Sequence, residues 1–304
     1  MSMSAPALQN KEAKLGFRFR QFFVRHDRSS MKVGTDGVLL GAWVPIEPLA
    51  ISHWPLAISL PTANCQRRIL DVGTGSGLIA LMLAQRCQEA QIDAIDIDEA
   101  SCCQARDNFA ASPWAERLHA VRCSLQDWSH NKLSTFDFRL STDKYDLIVS
   151  NPPYFVRSLK APDAARCAAR HNDKLPFGEL IGCNARLLKP DGILAVIVPC
   201  EAEQELQTLA AAEGLQCIRR CYVHPKPGRP AKRAMIVWRK SSAMSADKTD
   251  KTETTKTTQT TQTTKTTKTT QTTKTTQTTQ SIVLEDAQGG RSEAYQQLTK
   301  DFYL

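Results

Sequence analysis

The sequence predicts an α/β fold: a Rossmann-like, mostly parallel seven-stranded sheet with an antiparallel edge hairpin and helices on both faces. Three observations carry that expectation. Between residues 68 and 239, short apolar runs alternate with longer segments of helical period, the pattern of repeated βα units. A glycine-rich turn, Gly73-Thr74-Gly75-Ser76-Gly77, joins the first apolar run to the first helical segment. The last two runs flank the basic loop HPKPGRPAKR, residues 224–233, and read as an antiparallel pair.

Taken in order, strands are expected at 68–72, 91–97, 118–122, 145–149, 192–198, 215–223 and 234–239. Runs such as YDLIV and GILAVIV are apolar almost throughout, as strands covered on both faces must be. Helices at 78–86, 99–111, 175–188 and 201–213 fill the gaps. From 241 to 280 the chain degenerates into TTK and TTQ triplets with almost nothing apolar to bury. Such a tract cannot offset its ordering entropy and is expected to be disordered. Residues 281–285 regain a strand pattern and 292–304 an amphipathic helix, so the tract reads as an insertion. The expected organisation is a disordered stretch at 1–14, a domain at 15–240, the insertion at 241–280, and a strand and helix at 281–304 packing back on the domain.

The net charge is +8 over 304 residues, and the insertion holds six lysines against Asp247, Asp250 and Glu253, so the folded part is itself basic. The charge clusters at Arg18, Arg20, Arg25, Arg28 and Lys32, interleaved with Phe17, Phe19, Phe22 and Phe23, and again between Arg219 and Arg233. Cations interleaved with aromatic rings suit a phosphate backbone and exposed bases. None of the ten cysteines falls in a CxxC pair, so no zinc site is expected, and they read as small buried hydrophobes of a reducing, cytoplasmic setting. The opening MSMSAPALQNKEAK has no apolar targeting core, and no apolar run reaches membrane-spanning length.

A dinucleotide site would place its third glycine at position 78, where Leu78 stands, which weakens a nicotinamide reading. Behind the acidic Asp71, the G-x-G-x-G spacing instead resembles the S-adenosylmethionine loop of Rossmann-like class I methyltransferases. In that family an acidic residue at the end of the second strand accepts both ribose hydroxyls, the place Asp96 takes in AIDID. Asp98 is the better cap for the helix that follows. The family often meets the cofactor adenine after the third strand, where this chain offers Ser124 or Asp127. The resemblance thus implies a cofactor site of Asp71, Gly73, Gly75, Gly77, Asp96 and Asp127, with no metal.

Directly behind the run YDLIV comes Ser150-Asn151-Pro152-Pro153-Tyr154-Phe155. Two prolines remove two donors and fix φ twice, leaving carbonyls with nothing local to bond them. NPPY resembles the motif of methyltransferases acting on an amino or amide nitrogen. The Asn151 side-chain oxygen and the Pro152 carbonyl can each accept one hydrogen of a planar NH₂ group, so the missing donors come from the substrate. Tyr154 is expected to stack on the target base, with Phe155 behind it.

Ahead of the glycine loop, MKVGTDGVLLGAW at 31–43, together with LMLAQR, SPWAER and the ending DFYL, resembles the bacterial tRNA1(Val) (adenine(37)-N6)-methyltransferases. The resemblance implies S-adenosylmethionine-dependent methylation of an adenosine N6 beside a valine anticodon, with the tRNA anticodon stem-loop as partner, no membrane, and a monomer favoured. It puts Lys32, Thr35 and Asp36 on the cofactor side. Arg18, Arg20, Lys32, Phe155, Lys226, Arg229 and Arg233 become the RNA-binding candidates. Composition and spacing alone reach only an amino-group methyltransferase with a basic surface, so a protein glutamine amide or an rRNA base amine remain alternative substrates.

Overall fold

The computed structural model describes residues 15–46, 67–130, 144–153, 175–241 and 277–303. Two short strands, β1 (Gly16–Arg18) and β2 (Phe23–Arg25), pair antiparallel as a separate hairpin, followed by helix α1 (Thr35–Trp43). Then come β3 (Arg68–Val72), α2 (Leu78–Arg86), β4 (Gln91–Asp96), α3 (Glu99–Ala110), β5 (Leu118–Arg122) and the short α4 (Leu125–Ser129). The second half supplies β6 (Tyr145–Ser150), α5 (Phe177–Leu187), β7 (Leu188–Pro199), α6 (Glu203–Ala212), β8 (Leu215–His224), β9 (Arg233–Lys240), β10 (Thr278–Val283) and α7 (Glu293–Thr299).

The large sheet has eight strands in the order β10-β8-β9-β7-β6-β3-β4-β5. All neighbours run parallel except β9, which is antiparallel to both β7 and β8. Successive β3 side chains go to opposite faces: Ile69 joins one core, while Leu70 and Val72 join the other. Both cores are continuous across the sheet, which is why its strands read as unbroken apolar runs.

The structure corrects the insertion's boundary. Thr278, Thr279 and Gln280, assigned by sequence to the Thr-rich tract, already belong to β10 and pair with Arg219, Arg220 and Cys221. Two β-branched residues in every triplet suit an edge strand as well as a linker, so the repeat hides the point where pairing starts. The remainder of that tract, 242–276, lies outside the described residues, as do 1–14, Tyr154 and Phe155. Strand β7 begins four residues earlier than expected. Asp191, at φ +62°, turns the chain, and a Cβ at Gly192 would stand 2.9 Å from the Tyr145 carbonyl oxygen. Pro190-Asp191-Gly192 therefore reads as a turn in the sequence although Leu188 already pairs with Tyr145.

Two packing details position the site. Helix α1 lies against α2 through two glycines one turn apart: a Cβ at Gly37 would stand 3.0 Å from Leu78 Cδ2, and one at Gly41 2.8 Å from Met82 Sδ. A side chain at either position would have to displace Leu78 or Met82, so the two glycines let the helices meet closely and bring the start of α1, with Thr35 and Asp36, near the start of α2. On α3, the buried Ser101, Gln104 and Asn108 share one face and hold the backbone of residues 25–30 as a strap. Arg28 N donates to Gln104 Oε1 at 3.0 Å, and Arg25 N donates to Asn108 Oδ1 at 3.0 Å.

Candidate active site

The sheet's order reverses at β3. From β3 the chain steps to β4 and β5 on one side, while β6 and β7 lie on the other. In open α/β sheets the ligand crevice lies beyond the carboxyl ends of the strands at such a switch point. The glycine loop leaves β3 there and Asn151-Pro152 leaves β6 there. The register sets Val72 opposite Ser150, and Ser150 Oγ donates to the Val72 carbonyl at 2.9 Å. This hydrogen bond ties the two chain ends together, and sequence reading assigned Ser150 no role.

The loop is fixed from three directions. Gly73 N and Thr74 N both donate to the Ile95 carbonyl, at 2.9 and 3.0 Å. Gly75 N donates to Asp96 Oδ2 at 2.9 Å. Asn108 Nδ2 donates to the Ser76 carbonyl and to the Arg25 carbonyl, both at 2.8 Å, joining the loop to the strap. The spacing of polar residues at 101, 104 and 108 on one helical face was the sequence signal for this contact.

The three predicted glycines divide by role. Gly73 and Gly75 have φ of +73° and +55°, and a Cβ at either would meet no atom within 4 Å. They form an open cradle that a ligand can approach to backbone distance. Gly77 faces protein instead: at φ +82°, a Cβ there would stand 2.5 Å from Phe109 Cε1. Gly77→Ala combines left-handed strain with a ring displacement, an expected loss of about 2–4 kcal/mol. Urea unfolding tests this, and an unchanged midpoint would refute it.

Asp71 lies fully buried beneath the loop. Its Oδ2 accepts from Thr74 Oγ1 at 2.7 Å and from Ala80 N at 3.2 Å. Gly77 offers no side chain to cap α2, so Asp71 satisfies a first-turn amide from the preceding strand. It therefore supports the cradle from below, where the sequence had assigned it to the cofactor site. Burial pushes its carboxyl up to about 7. An unfolded Asp ionises near pH 4, so between pH 4 and 7 the native state binds more protons and stability falls as pH rises, by up to about 4 kcal/mol. Relative to the wild type, Asp71→Asn should therefore gain stability progressively from pH 4 to 8. A difference that does not change with pH would refute this.

Asp96, at the end of β4, accepts Gly75 N on one oxygen and Asp98 N on the other at 3.0 Å. A carboxylate has about four acceptor positions, so one remains on each oxygen for a pair of hydroxyls. Burial holds its carboxyl above the usual range, against the opposing pull of the Asp98 and Gly75 amides. Asp98 caps α3, accepting Ser101 N at 2.9 Å, as its position in the sequence suggested. Beside Asp96, Ile97 is 49% exposed, an apolar surface for a planar ring that sequence reading passed over. Asp127 and Ser124 cap α4 together: Ser124 Oγ accepts Asp127 N at 3.0 Å and donates to Asp127 Oδ2 at 2.7 Å. The open cradle, the spare acceptors and the exposed Ile97 fit S-adenosylmethionine.

The basic candidates fare unequally. Arg233 is drawn to Asp36, with Nε to Oδ2 at 2.9 Å, so one expected RNA contact and one expected cofactor-side residue neutralise each other at the start of β9. Lys226 pairs with Glu285 at 3.1 Å. Arg219 stacks 4.5 Å from the Trp43 ring and bonds Gln280, while Arg220 pairs with Glu203 at 2.7 Å. Arg219, Arg220 and Arg233 are thus taken up within the protein, whereas Lys226, though paired, and Lys232 remain exposed. Arg18, Arg20, Lys32 and Arg229 stay exposed. Among the described residues, no cluster of three or more His, Cys, Asp or Glu is placed to hold a metal, and no helix is long and apolar enough to cross a membrane.

Fold and site together define a Rossmann-like class I methyltransferase with S-adenosylmethionine as methyl donor. The family model described as "Methyltransferase small domain" matches residues 55–201. A structure described as a predicted O-methyltransferase from Agrobacterium tumefaciens superposes with a TM-score of 0.53 at 14% identity, covering 88% of this chain and 96% of that one. Among curated relatives, the tRNA1(Val) (adenine(37)-N6)-methyltransferase of Bacteroides fragilis is 45% identical over 225 residues, 72% of this chain and 82% of its own length. That of Phocaeicola vulgatus is 38% identical over 288 residues, 95% and 97% of the two chains. The chain belongs to the tRNA1(Val) (adenine(37)-N6)-methyltransferase family.

Proposed function

We propose that this enzyme methylates N6 of adenosine 37, beside the anticodon of tRNA1(Val), in the cytoplasm. The observation that carries the chemistry is the register of β3 with β6, which sets Asn151-Pro152 across one crevice from the open glycine cradle. Gly73, Gly75, Asp96 and Ile97 hold the cofactor, which supplies an electrophilic methyl group on a sulfonium.

An exocyclic adenine amine shares its lone pair with the ring and is a poor nucleophile. Asn151 Oδ1 and the Pro152 carbonyl accept its two hydrogens and favour the pyramidal, increasingly positive nitrogen of the transition state. Asn151 is half-buried and Pro152 buried, so these acceptors act where water competes little. Proton loss follows methyl transfer, and no strong base is required. Adenosine 37 lies in an unpaired loop, so turning it outward costs less than flipping a base from a duplex.

The test is incubation with labelled S-adenosylmethionine and total tRNA from a strain lacking the enzyme, then nucleoside analysis. Label in N6-methyladenosine beside a valine anticodon is expected. Label found instead in protein or rRNA would keep the methyltransferase and discard this substrate.

A further inference from the structure

A cavity of about 550 Å³ opens between the β1–β2 hairpin and the last turn of α3, and none of the crevice residues lines it. Arg18, Gln21, Phe23 and Arg25 line it from the hairpin side, Asp107 and Asn108 from the helix side. Two of the nearby cations are already paired: Arg25 binds Asp27 at 2.9 Å, and Arg28 binds Asp107. Arg18 makes no ion pair with a described residue. Its guanidinium lies on the Phe23 ring, 4.7 Å from the centroid. That ring is backed by Gly16, where a Cβ would stand 2.7 Å from Cζ. Phe23 thus holds the Arg18 guanidinium at the cavity wall.

The cavity's other wall argues against a bare anion. The last turn of α3 presents carbonyl ends with partial negative charge, beside the Asp107 carboxylate that Arg28 already pairs. A planar group bearing amino donors, attached to a phosphate, meets both walls at once. Guanidinium planes serve as stacking surfaces for unpaired bases. Asn108 belongs both to this wall and to the clamp on the Ser76 carbonyl, so the cavity and the glycine loop share one rigid unit.

We propose that this cavity receives an unpaired nucleotide of the same RNA substrate, flanking the reacting adenosine, with its base stacked on the Arg18 plane. The proposal rests on the reading of the chain as a tRNA-methylating enzyme.

The test measures binding of a fluorescent, unmodified valine tRNA transcript to the full-length wild type, Arg18→Ala and Arg18→Lys, with S-adenosylmethionine affinity measured in parallel. Loss of a base stack weakens tRNA binding by about tenfold, and lysine fails to restore it because it keeps the charge but has no plane. Cofactor affinity stays unchanged. Unchanged tRNA affinity in Arg18→Ala overturns the proposal, as does full rescue by lysine, which would leave only a phosphate contact. Equal losses of tRNA and cofactor affinity also overturn it, since they mark a structural defect. A wild type that transfers no label to any tRNA fails earlier and takes down the proposed function itself.

Discussion

Asn151→Ala is expected to lower kcat by about 10²–10³-fold, the cost of removing one preorganised acceptor from a site where charge develops, while cofactor affinity stays nearly unchanged. The separation follows from geometry. Asn151 follows β6, whereas the cradle and Asp96 stand on β3 and β4, where Ile95, Asp96 and Asn108 hold the loop. Asn151→Asp keeps an acceptor oxygen and should retain more activity than the alanine variant. Single-turnover methyl transfer together with cofactor titration separates the two quantities. A parallel fall in both would remove Asn151 from the chemistry and make it a support of the cofactor site.

What the sequence discloses is the part written in local order. Strand, glycine loop, helix, strand and acid follow one another from Arg68 to Asp96, so the bounds of β3 and α2 could be read directly. The functional split within the loop could not be read. Three glycines of equal spacing look alike, yet two face open space and the third faces Phe109, 32 residues further on. Asp71 and Asp96 are likewise both acids at strand ends; only burial separates the support beneath the loop from the acceptor beside it.

The rest depends on pairings distant in sequence. Asp36 and Arg233 carry no mutual signal, yet they meet in an ion pair. The phenylalanine-rich start reads as a cation-and-aromatic cluster and the ending DFYL as a family resemblance, two unconnected signals in the sequence. In the fold they are one: Phe19 stacks on Tyr303 at 5.9 Å, and Arg20 N donates to the Phe302 carbonyl at 2.8 Å. Internal ion pairs likewise take up part of the charge counted in the sequence. Arg219 and Arg220 are used to seat β10 and α6 neighbours, so exposed cations remain on the hairpin, at Lys32 and in the 224–233 loop.

Replacing Asp96 should produce the largest loss on the cofactor side. Two charge-assisted hydrogen bonds to ribose hydroxyls, each contributing about 1.5–3 kcal/mol, imply at least about a 10²-fold rise in Kd when both are removed. Alanine also strips acceptors from Gly75 N and Asp98 N, so its loss mixes binding with loop disorder. Asp96→Asn is the sharper variant: its one oxygen still accepts one of the two backbone amides, while its NH₂ faces the other amide and replaces the acceptor a ribose hydroxyl needs. It should keep more of the melting temperature than the alanine variant, keep tRNA affinity, and still lose the cofactor. The raised carboxyl supplies a second readout. The ionised form is the acceptor, so wild-type cofactor affinity should fall on acidification earlier than an ordinary Asp would allow, because burial raises the proton affinity of the side chain. In Asp96→Asn that pH dependence should vanish. If the asparagine variant binds S-adenosylmethionine like the wild type, Asp96 only pins the loop, and ribose recognition must be sought elsewhere in the crevice.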